Sequence, residues 1–336
     1  MKNERLAGIL VLIIVGCAAL IPLAVKGAFA ARERVIELHA RTPENGGWSL
    51  DAIRVRVGEP VTLRMTSDDV MHGFAIGKED FEPLDILPGE FVERTLVFDQ
   101  PGKYTFYCTH WCGENHWRMR GTIEVDGVSQ PAQAEELPLF LKLGLDVDAP
   151  HMAETIPAQP PSAVRGERFA SLFPPYALER ETYMVTSPAQ LWQQLRAEPG
   201  LEQLSDADIW DGVAWIWQSQ SSPQAIAGGE SLYTANCAAC HGETGKGDGV
   251  FVRNLPAMDM QNMGHTPVRP PEFSDPHVLL GASPALLEGK IIRGGMGTGM
   301  PYWGPVFTLE QIDSIIRYLH TFAWQTPPED SPAAEK

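Results

Sequence analysis

The stretch Cys108-Thr-His-Trp-Cys112-Gly-Glu-Asn-His116-Trp-Arg-Met119 places two thiols, an imidazole and a thioether within one short segment. A further histidine, His72, lies upstream in Met-His-Gly-Phe. Thiolates, thioethers and imidazoles are ligands that select copper. Two cysteines on one loop can each bridge two copper ions, with one imidazole on each metal and a thioether and a backbone carbonyl completing the shells. The pattern predicts a dinuclear copper centre that shares one electron between its metals.

Three other interpretations of this segment account for fewer of its side chains. A mononuclear blue copper site uses one cysteine and would leave the second without a role. Structural zinc cysteines sit about two to four residues apart in knuckles, without such a methionine. A disulfide between Cys108 and Cys112 remains open for the metal-free protein. The dinuclear copper site accounts for all five side chains.

The sequence around the loop predicts strands. Val55, Val57, Val61, Leu63 and Met65 alternate with polar residues at a period of two, which is typical of a half-buried strand. Turn signals such as Gly58-Glu59-Pro60 separate the apolar runs. Many short strands divided by Pro/Gly turns favour a β-sandwich or a β-barrel, and we expect this domain to span residues 34–127.

A second motif, Cys237-Ala-Ala-Cys240-His241, has the spacing of covalent haem attachment. The thiols form thioethers with the haem, and the adjacent histidine then lies under the iron as an axial ligand. The motif follows a helical segment and precedes a Gly-rich loop. Met300 in Gly-Met-Pro and Met296 follow about sixty residues later and are the candidates for the sixth ligand.

Composition and capping signals predict the structure of the remaining segments. Residues 128–175 are rich in Pro, Ala and acidic side chains and predict a linker with little structure of its own. The sequence predicts a helical connecting segment over residues 176–222, with Ser187 and Ser205 as N-caps. It assigns no role to this segment. Helical structure is expected again over 223–326, with Thr308 capping the last helix, and residues 327–336 are expected to be a disordered tail.

Residues 1–33 are expected to be an N-terminal anchor, because Leu6 to Val25 are uncharged and overwhelmingly apolar. A bilayer-spanning helix needs about 20 such residues, whereas a signal peptide has about 7–15. A retained transmembrane helix over about 6–25 is therefore favoured over cleavage after Ala30 or lipidation at Cys17. Basic residues flank the run on both sides and leave its orientation open.

Residues Glu37 to Val125 resemble the CuA domain of cytochrome c oxidase subunit II, which has the cupredoxin fold. The phrases SDDVMHGFAI, ILPGE, PGKYTFYC and CGENH carry the resemblance in order and spacing. It implies six copper ligands: His72, Cys108, the backbone carbonyl of His110, Cys112, His116 and Met119.

Two departures from that family matter. Many of its members have a glutamate where His110 stands, and its carboxylate binds magnesium at the interface with subunit I. Most have a two-helix anchor, whereas this chain has one predicted span. The nitrous oxide reductase CuA domain shares the ligand spacing, and Trp111 is similar to it, but that enzyme's large catalytic copper domain is absent from this sequence.

Residues Ala227 to Phe322 are similar to a class I cytochrome c. The resemblance implies an all-α domain with one covalently bound haem c attached at Cys237 and Cys240 and ligated by His241 and Met300. Together the two resemblances imply a multidomain chain: one transmembrane helix, an all-β cupredoxin Greek-key sandwich and an all-α cytochrome domain. Haem c is attached outside the cytoplasm, which places both redox domains on the periplasmic face of the cell membrane.

The net charge of −17 argues against a nucleic-acid partner. No nucleophile–base set, phosphate loop or paired carboxylates stands out, so a relay of electrons is expected rather than a catalytic site. The resemblance implies an electron-transfer subunit that receives electrons from a soluble cytochrome c or a quinol-oxidising complex and delivers them to haem–copper oxidase subunit I for reduction of oxygen. A nitric oxide reductase of the same superfamily, or a free-standing membrane-tethered carrier, remains an alternative.

Overall fold

The computed structural model describes residues 34–113, 115–127, 137–252, 269–295 and 299–324. The predicted transmembrane helix over 6–25, the alternative iron ligand Met296 and the tail 327–336 lie outside these ranges. Among the residues within them, no helix combines the length and apolar character needed to cross a bilayer.

The N-terminal part of the described chain is a sandwich of two β-sheets. One sheet has the order β1-β3-β6 and the other the order β2-β8-β7-β4-β5. β1–β3 and β2–β8 are parallel, and the remaining pairs are antiparallel. The strands are β1 (Arg34–Ala40), β2 (Ala52–Arg56), β3 (Val61–Ser67), β4 (His72–Ile76), β5 (Leu84–Ile86), β6 (Val92–Leu96), β7 (Gly102–Tyr107) and β8 (Arg120–Asp126).

Alternating burial explains why these segments form a sandwich. Ile53 and Val55 of β2 are buried while their neighbours are exposed, which matches the period of two in the sequence. Trp48, Phe74 and Phe106 meet between the sheets with ring centroids 5.6–5.8 Å apart. The prediction of a β-sandwich is confirmed.

The C-terminal part is helical, as predicted. The α-helices are α1 (Leu139–Lys142), α2 (Ala163–Gly166), α3 (Arg180–Val185), α4 (Pro188–Arg196), α5 (Asp206–Ser219), α6 (Pro223–Asn236), α7 (Ala238–His241), α8 (Pro276–Leu280), α9 (Pro284–Arg293) and α10 (Leu309–Thr321). Capping boxes begin α4 at Ser187, α5 at Ser205 and α10 at Thr308. The predicted caps are therefore confirmed.

One hydrophobic core joins the connecting segment to the helices that follow it. Tyr183 of α3 and Trp217 of α5 belong to the same buried cluster as Tyr233 of α6 and Ile316 of α10. Residues 176–222 thus pack as part of the helical region.

The segment 137–175 differs from the prediction of a linker with little structure. The Glu288 carboxylate accepts a hydrogen bond from the Leu139 backbone N–H at 2.7 Å, and Lys290 donates to the Val147 carbonyl at 2.6 Å. Arg293 forms a bidentate ion pair with Asp148. Glu288, Lys290 and Arg293 all lie on α9. They hold residues 139–148, here called the strap, through contacts that the composition of the segment does not predict.

Candidate metal centres and the cleft between them

Three elements of the sandwich bring the predicted copper ligands together. His72 begins β4, and the loop from Cys108 to Met119 runs from the end of β7 to the start of β8. The Met119 carbonyl closes this loop by accepting hydrogen bonds from the Cys108 N–H at 3.0 Å and from Trp48 Nε1 at 3.1 Å. The ligand loop is thereby fixed at both ends to rigid strands and to the core.

The two thiols stand side by side at the centre of this site. Their Sγ atoms are 3.8 Å apart, far beyond the roughly 2 Å of a disulfide, and both cysteines are free. His72 Nδ1 lies 3.7 Å from Cys108 Sγ, and His116 Nδ1 lies 3.7 Å from Cys112 Sγ. Each thiol therefore has its own imidazole.

The remaining two predicted ligands approach the thiols from either side. Met119 Sδ lies 3.8 Å from Cys112 Sγ, and the His110 carbonyl oxygen lies 3.3 Å from Cys108 Sγ. Both imidazoles and the Met119 side chain are buried. The side chain of His110 points elsewhere, with Nε2 2.7 Å from Asp85 Oδ1.

The paired thiols influence each other's ionisation. The contact with Cys112, supported by the two imidazoles, holds the pKa of Cys108 well below its usual range, although burial opposes the shift. The contact with Cys108, reinforced by burial, raises the pKa of Cys112. One thiolate is favoured by the protein alone, and a cation beside the pair would favour the second.

Asp69 orients His72. The His72 Nε2 atom lies 2.8 Å from Asp69 Oδ1, which leaves Nδ1 facing Cys108. Burial lowers the pKa of His72, but contacts with Cys108 and Asp69 outweigh it, so the pKa is raised overall. The carboxylate is itself held by the Thr42 backbone N–H at 2.7 Å. A carboxylate behind a ligating histidine fixes the tautomer and ring orientation at metal sites.

The haem-attachment motif lies where α6 passes into the short helix α7. Cys237 caps the end of α6, with its N–H donating to the Tyr233 carbonyl at 2.7 Å, and the free thiols of Cys237 and Cys240 are both half-buried. The buried Tyr233 hydroxyl donates to the Gly242 carbonyl at 2.7 Å. These bonds fix the motif against the helical core.

His241 has the environment expected of an axial ligand. It is buried, and desolvation lowers its pKa to about 4, against an opposing effect of the Pro271 carbonyl. Its Nδ1 has no hydrogen-bond partner of regular geometry, although the Pro271 carbonyl is near. The imidazole is therefore held neutral and free to bind a metal. Met300 faces the same cleft, as do Cys237, Cys240, Arg269 and Pro271.

The copper loop forms the opposite wall of this cleft. His116, Trp111 and Trp117 line it together with the haem-attachment residues. The Trp111 ring lies 4.5 Å from the His116 ring and 4.6 Å from the Phe251 ring, measured between centroids. The Phe251 N–H donates to the carbonyl of Ala239, inside the attachment motif, at 3.0 Å. One predicted copper ligand, His116, thus faces the predicted haem ligands across a single cleft.

Polar contacts beside the cleft hold the sandwich against the helical region. Arg120 Nη1 donates to the Tyr302 carbonyl at 2.7 Å, and its guanidinium lies 4.9 Å from the centroid of the Trp303 ring. The Lys78 N–H donates to the Val306 carbonyl at 3.0 Å.

The structure brings together every predicted ligand that it describes, in two sets. Sequence reasoning missed three supporting residues. Asp69 carried a signal, since it is an acid three positions before a predicted ligand histidine. Phe251 and Arg120 carried none, because their roles come from contacts between distant parts of the chain.

Two family models match the chain, and each covers one of the two predicted ligand sets. Residues 49–126 match the family described as cytochrome C oxidase subunit II, periplasmic domain. Residues 224–319 match the family described as cytochrome C oxidase, cbb3-type, subunit III.

Curated relatives are similar to one domain or the other. Cytochrome c oxidase subunit 2 of Thermus thermophilus is 35% identical over 79 residues, covering 24% of this chain and 58% of the relative. Nitrous-oxide reductase of Ralstonia nicotianae is 35% identical over 89 residues, covering 25% of this chain and 14% of the relative. Cbb3-type cytochrome c oxidase subunit FixP of Azorhizobium caulinodans is 34% identical over 124 residues, covering 35% of this chain and 36% of the relative.

The chain spans less than two thirds of each of these relatives. The two family matches do not overlap, and each contains one of the two ligand sets described above. The chain therefore carries one stretch that matches the cytochrome c oxidase subunit II periplasmic family, residues 49–126, and a second stretch that matches the cbb3-type subunit III family, residues 224–319.

Proposed function

We propose that this chain is the electron-transfer subunit, subunit II, of a respiratory haem–copper oxidase. In this proposal an electron enters at the His241 side of the cleft, crosses to the Cys108–Cys112 pair and leaves for the catalytic subunit that reduces oxygen. The observation that supports the proposal is the shared cleft, which is lined by His116 of the predicted copper ligands and by the predicted haem ligands.

The residues present fit both cofactors. A dinuclear copper centre would be held by His72, Cys108, the His110 carbonyl, Cys112, His116 and Met119. Two free thiols 3.8 Å apart, each with its own imidazole, suit two bridged copper ions. A haem c would be attached at Cys237 and Cys240, with His241 and Met300 as axial ligands. The neutral, buried imidazole and the two free thiols suit it. When bound, both groups supply reversible one-electron chemistry.

The chain's own contribution is to hold its ligands still and keep water away. Cys108, His72 and His116 are buried on strands or on a loop closed by backbone hydrogen bonds. Fixed ligands change position little between redox states, so little reorganisation accompanies each transfer. One-electron transfer of this kind requires no proton exchange between a substrate and the residues that the structure describes.

Exposed apolar residues near His72 favour a stable partner over a free-standing carrier. Val70 and Met71 immediately precede His72, and Leu87 follows the strand that pairs with it; all three are exposed. Solvent-facing apolar groups at one edge of a redox site are typical of a protein contact surface. We propose that the partner is oxidase subunit I, with the redox domains on the periplasmic face of the cell membrane and a soluble cytochrome c or quinol-oxidising complex as donor.

The test is capture of this chain from gently solubilised native membranes, followed by assay of the captured material. We expect a multi-span haem protein to accompany it and to consume oxygen with reduced cytochrome c. Consumption of nitric oxide but not oxygen would replace the oxidase with a nitric oxide reductase. Recovery of the chain alone, with both metals bound, would contradict the subunit assignment.

The assignment of the copper site has a separate test. Cys112→Ser is expected to abolish the mixed-valence copper signal in electron paramagnetic resonance while leaving the haem spectrum intact, because a bridge would be lost. Survival of that signal in the variant would contradict the dinuclear site.

A further inference from the structure

Trp111 is the one described side chain whose ring contacts both a predicted copper ligand and the wall that carries the haem-attachment motif. Its ring centroid lies 4.5 Å from that of His116 and 4.6 Å from that of Phe251. His116 in turn lies against Cys112, at 3.7 Å, and Phe251 is tied to Ala239 between the two attachment cysteines. Packed rings therefore run from His116 through Trp111 to Phe251, and the Phe251–Ala239 backbone hydrogen bond connects them to the attachment motif.

Arg120 forms a second, parallel link. It directly follows Met119, and it bonds Tyr302, two positions after Met300. Its guanidinium also lies over the ring of the buried Trp303. Burial lowers the pKa of Arg120, and the Tyr302 carbonyl partly replaces the water that this cation has lost. A group held in this way fixes the spacing between the two methionine segments.

We propose that Trp111 is the coupling residue through which an electron crosses the cleft, and that Arg120 is the positioning residue that keeps the cleft closed around it. This inference rests on the proposed function and adds the route to it. One electron is lost on the His241 side and one is gained on the Cys108–Cys112 side. No bond forms or breaks, and no proton moves.

Trp117 provides the comparison within the same cleft. It also lines the space, but its ring lies under the Arg118 guanidinium, 4.8 Å from its centroid. The line of rings runs through Trp111. Aromatic pairs stabilise a contact beyond the burial of their rings, so the Trp111 contacts with His116 and Phe251 also help to hold the walls together.

The experiment uses the full chain loaded with copper and haem. A laser-activated small-molecule reductant reduces the haem, and the transfer to copper is followed by absorbance at both centres. We expect Trp111→Leu to slow this intramolecular step by about tenfold or more, whereas Trp111→Phe keeps most of the rate because a ring remains. Trp117→Leu should slow it less than Trp111→Leu. Trp192→Leu, which removes an indole from α4 outside the cleft, should leave it unchanged.

Spectra separate a route from a merely structural role. The copper signal in electron paramagnetic resonance, the haem spectrum and both reduction potentials should be the same in Trp111→Leu as in the parent protein. Arg120→Met should also slow the step, and Arg120→Lys should restore part of it, since an ammonium can still reach the Tyr302 carbonyl.

Two outcomes would overturn the inference, and they are distinguishable. If the parent protein carries both centres and transfers the electron but Trp111→Leu is as fast, the route through Trp111 is wrong and the proposed function stands. If the parent protein binds both groups and no electron crosses, the proposed function fails and this inference fails with it.

Discussion

Asp68 and Asp69 are neighbours in the sequence but hold different histidines. Asp68 pairs with His39 at 2.8 Å and with Arg41 at 2.7 Å, on the outside of the sandwich. Asp69 turns to the buried His72. Of these two aspartates, Asp68 thus contacts a surface histidine and Asp69 a predicted copper ligand.

Asp69→Asn should lower copper affinity by about 10- to 100-fold, because the amide cannot supply the negative charge that fixes the His72 tautomer. Copper titration followed by absorbance measures the effect. Asp68→Asn is the matched control, since it removes an equal charge one position away without touching His72. Equal affinities in the two variants would contradict the role given to Asp69.

His320 predicts a pH dependence of stability in the helical region. It is buried on α10, its Nδ1 donates to the Ile316 carbonyl at 2.9 Å, and its Nε2 has no partner. Burial lowers its pKa to about 4, below the value of about 6.5 in the unfolded chain. The unfolded state therefore takes up the proton first as the pH falls.

Its contribution to stability is complete above pH 6.5 and is lost as the pH falls towards about 4, by an amount on the order of 3 kcal/mol. His320→Phe keeps a ring against Trp217 and should flatten this part of the profile. Urea unfolding followed by the helical circular dichroism signal, at several pH values between 7 and 4.5, measures the difference. Parallel profiles for variant and parent would rule out His320 as the source.

At the scale of the elements, α6 and α10 cross in close contact. Gly229 allows it, because a Cβ there would lie 2.0 Å from the Ser314 carbonyl oxygen. Its neighbour Gly228 faces open space, with nothing within 4 Å of a Cβ. Adjacent glycines in one helix thus have opposite structural roles.

Gly229→Ala should destabilise the helical region by about 1–3 kcal/mol, because the helices must separate to admit the methyl group. Gly228→Ala should instead stabilise it by up to about 1 kcal/mol, since alanine is the better helix former. Thermal unfolding of both variants gives the comparison. A loss of stability in Gly228→Ala as large as that in Gly229→Ala would contradict this account of the crossing.

Local signals explain which elements the sequence predicts. Serine or threonine three residues before glutamine or aspartate marks the start of α4, α5 and α10, and period-two burial marks the strands. The packing of residues 139–148 on α9 could not be predicted from local signals, because the Glu288–Leu139 hydrogen bond joins residues 149 positions apart. The ligand loop is predictable for the opposite reason: its four predicted ligand side chains, those of Cys108, Cys112, His116 and Met119, are close in sequence. The boundaries predicted for the domains stay predictions.

At the scale of the whole molecule, the sandwich and the helical region meet through close backbone contact. The Lys78 N–H bonds the Val306 carbonyl, and a Cβ on Gly77 would lie 2.5 Å from the Pro305 carbonyl oxygen. Neither the Trp111–Phe251 contact nor this one has a signature in the sequence, because each joins distant segments. The facing arrangement of the two ligand sets could therefore be learned only from the structure.

Gly77→Ala should loosen this contact, because the added methyl group collides with backbone that cannot easily move. We expect a larger radius of gyration in small-angle X-ray scattering and a slower crossing of the cleft, with both metal spectra unchanged. Gly102→Ala is the control, since its nearest neighbour would lie at an ordinary 3.7 Å. An unchanged radius and an unchanged rate in Gly77→Ala would show that the contact is not needed for docking.

The backbone contact at Lys78 and Val306 has a kinetic consequence. Donor and acceptor domains on separate chains must find each other by diffusion, at a rate set by their concentrations and by salt. Here one chain carries both, and tethering alone gives an effective concentration in the millimolar range for short flexible connections. Because the sandwich and the helical region are already in contact, no diffusional encounter between them is needed. In the proposed function, transfer across the cleft is therefore a first-order step that does not depend on dilution, and only the arrival of electrons from outside depends on how much donor is present.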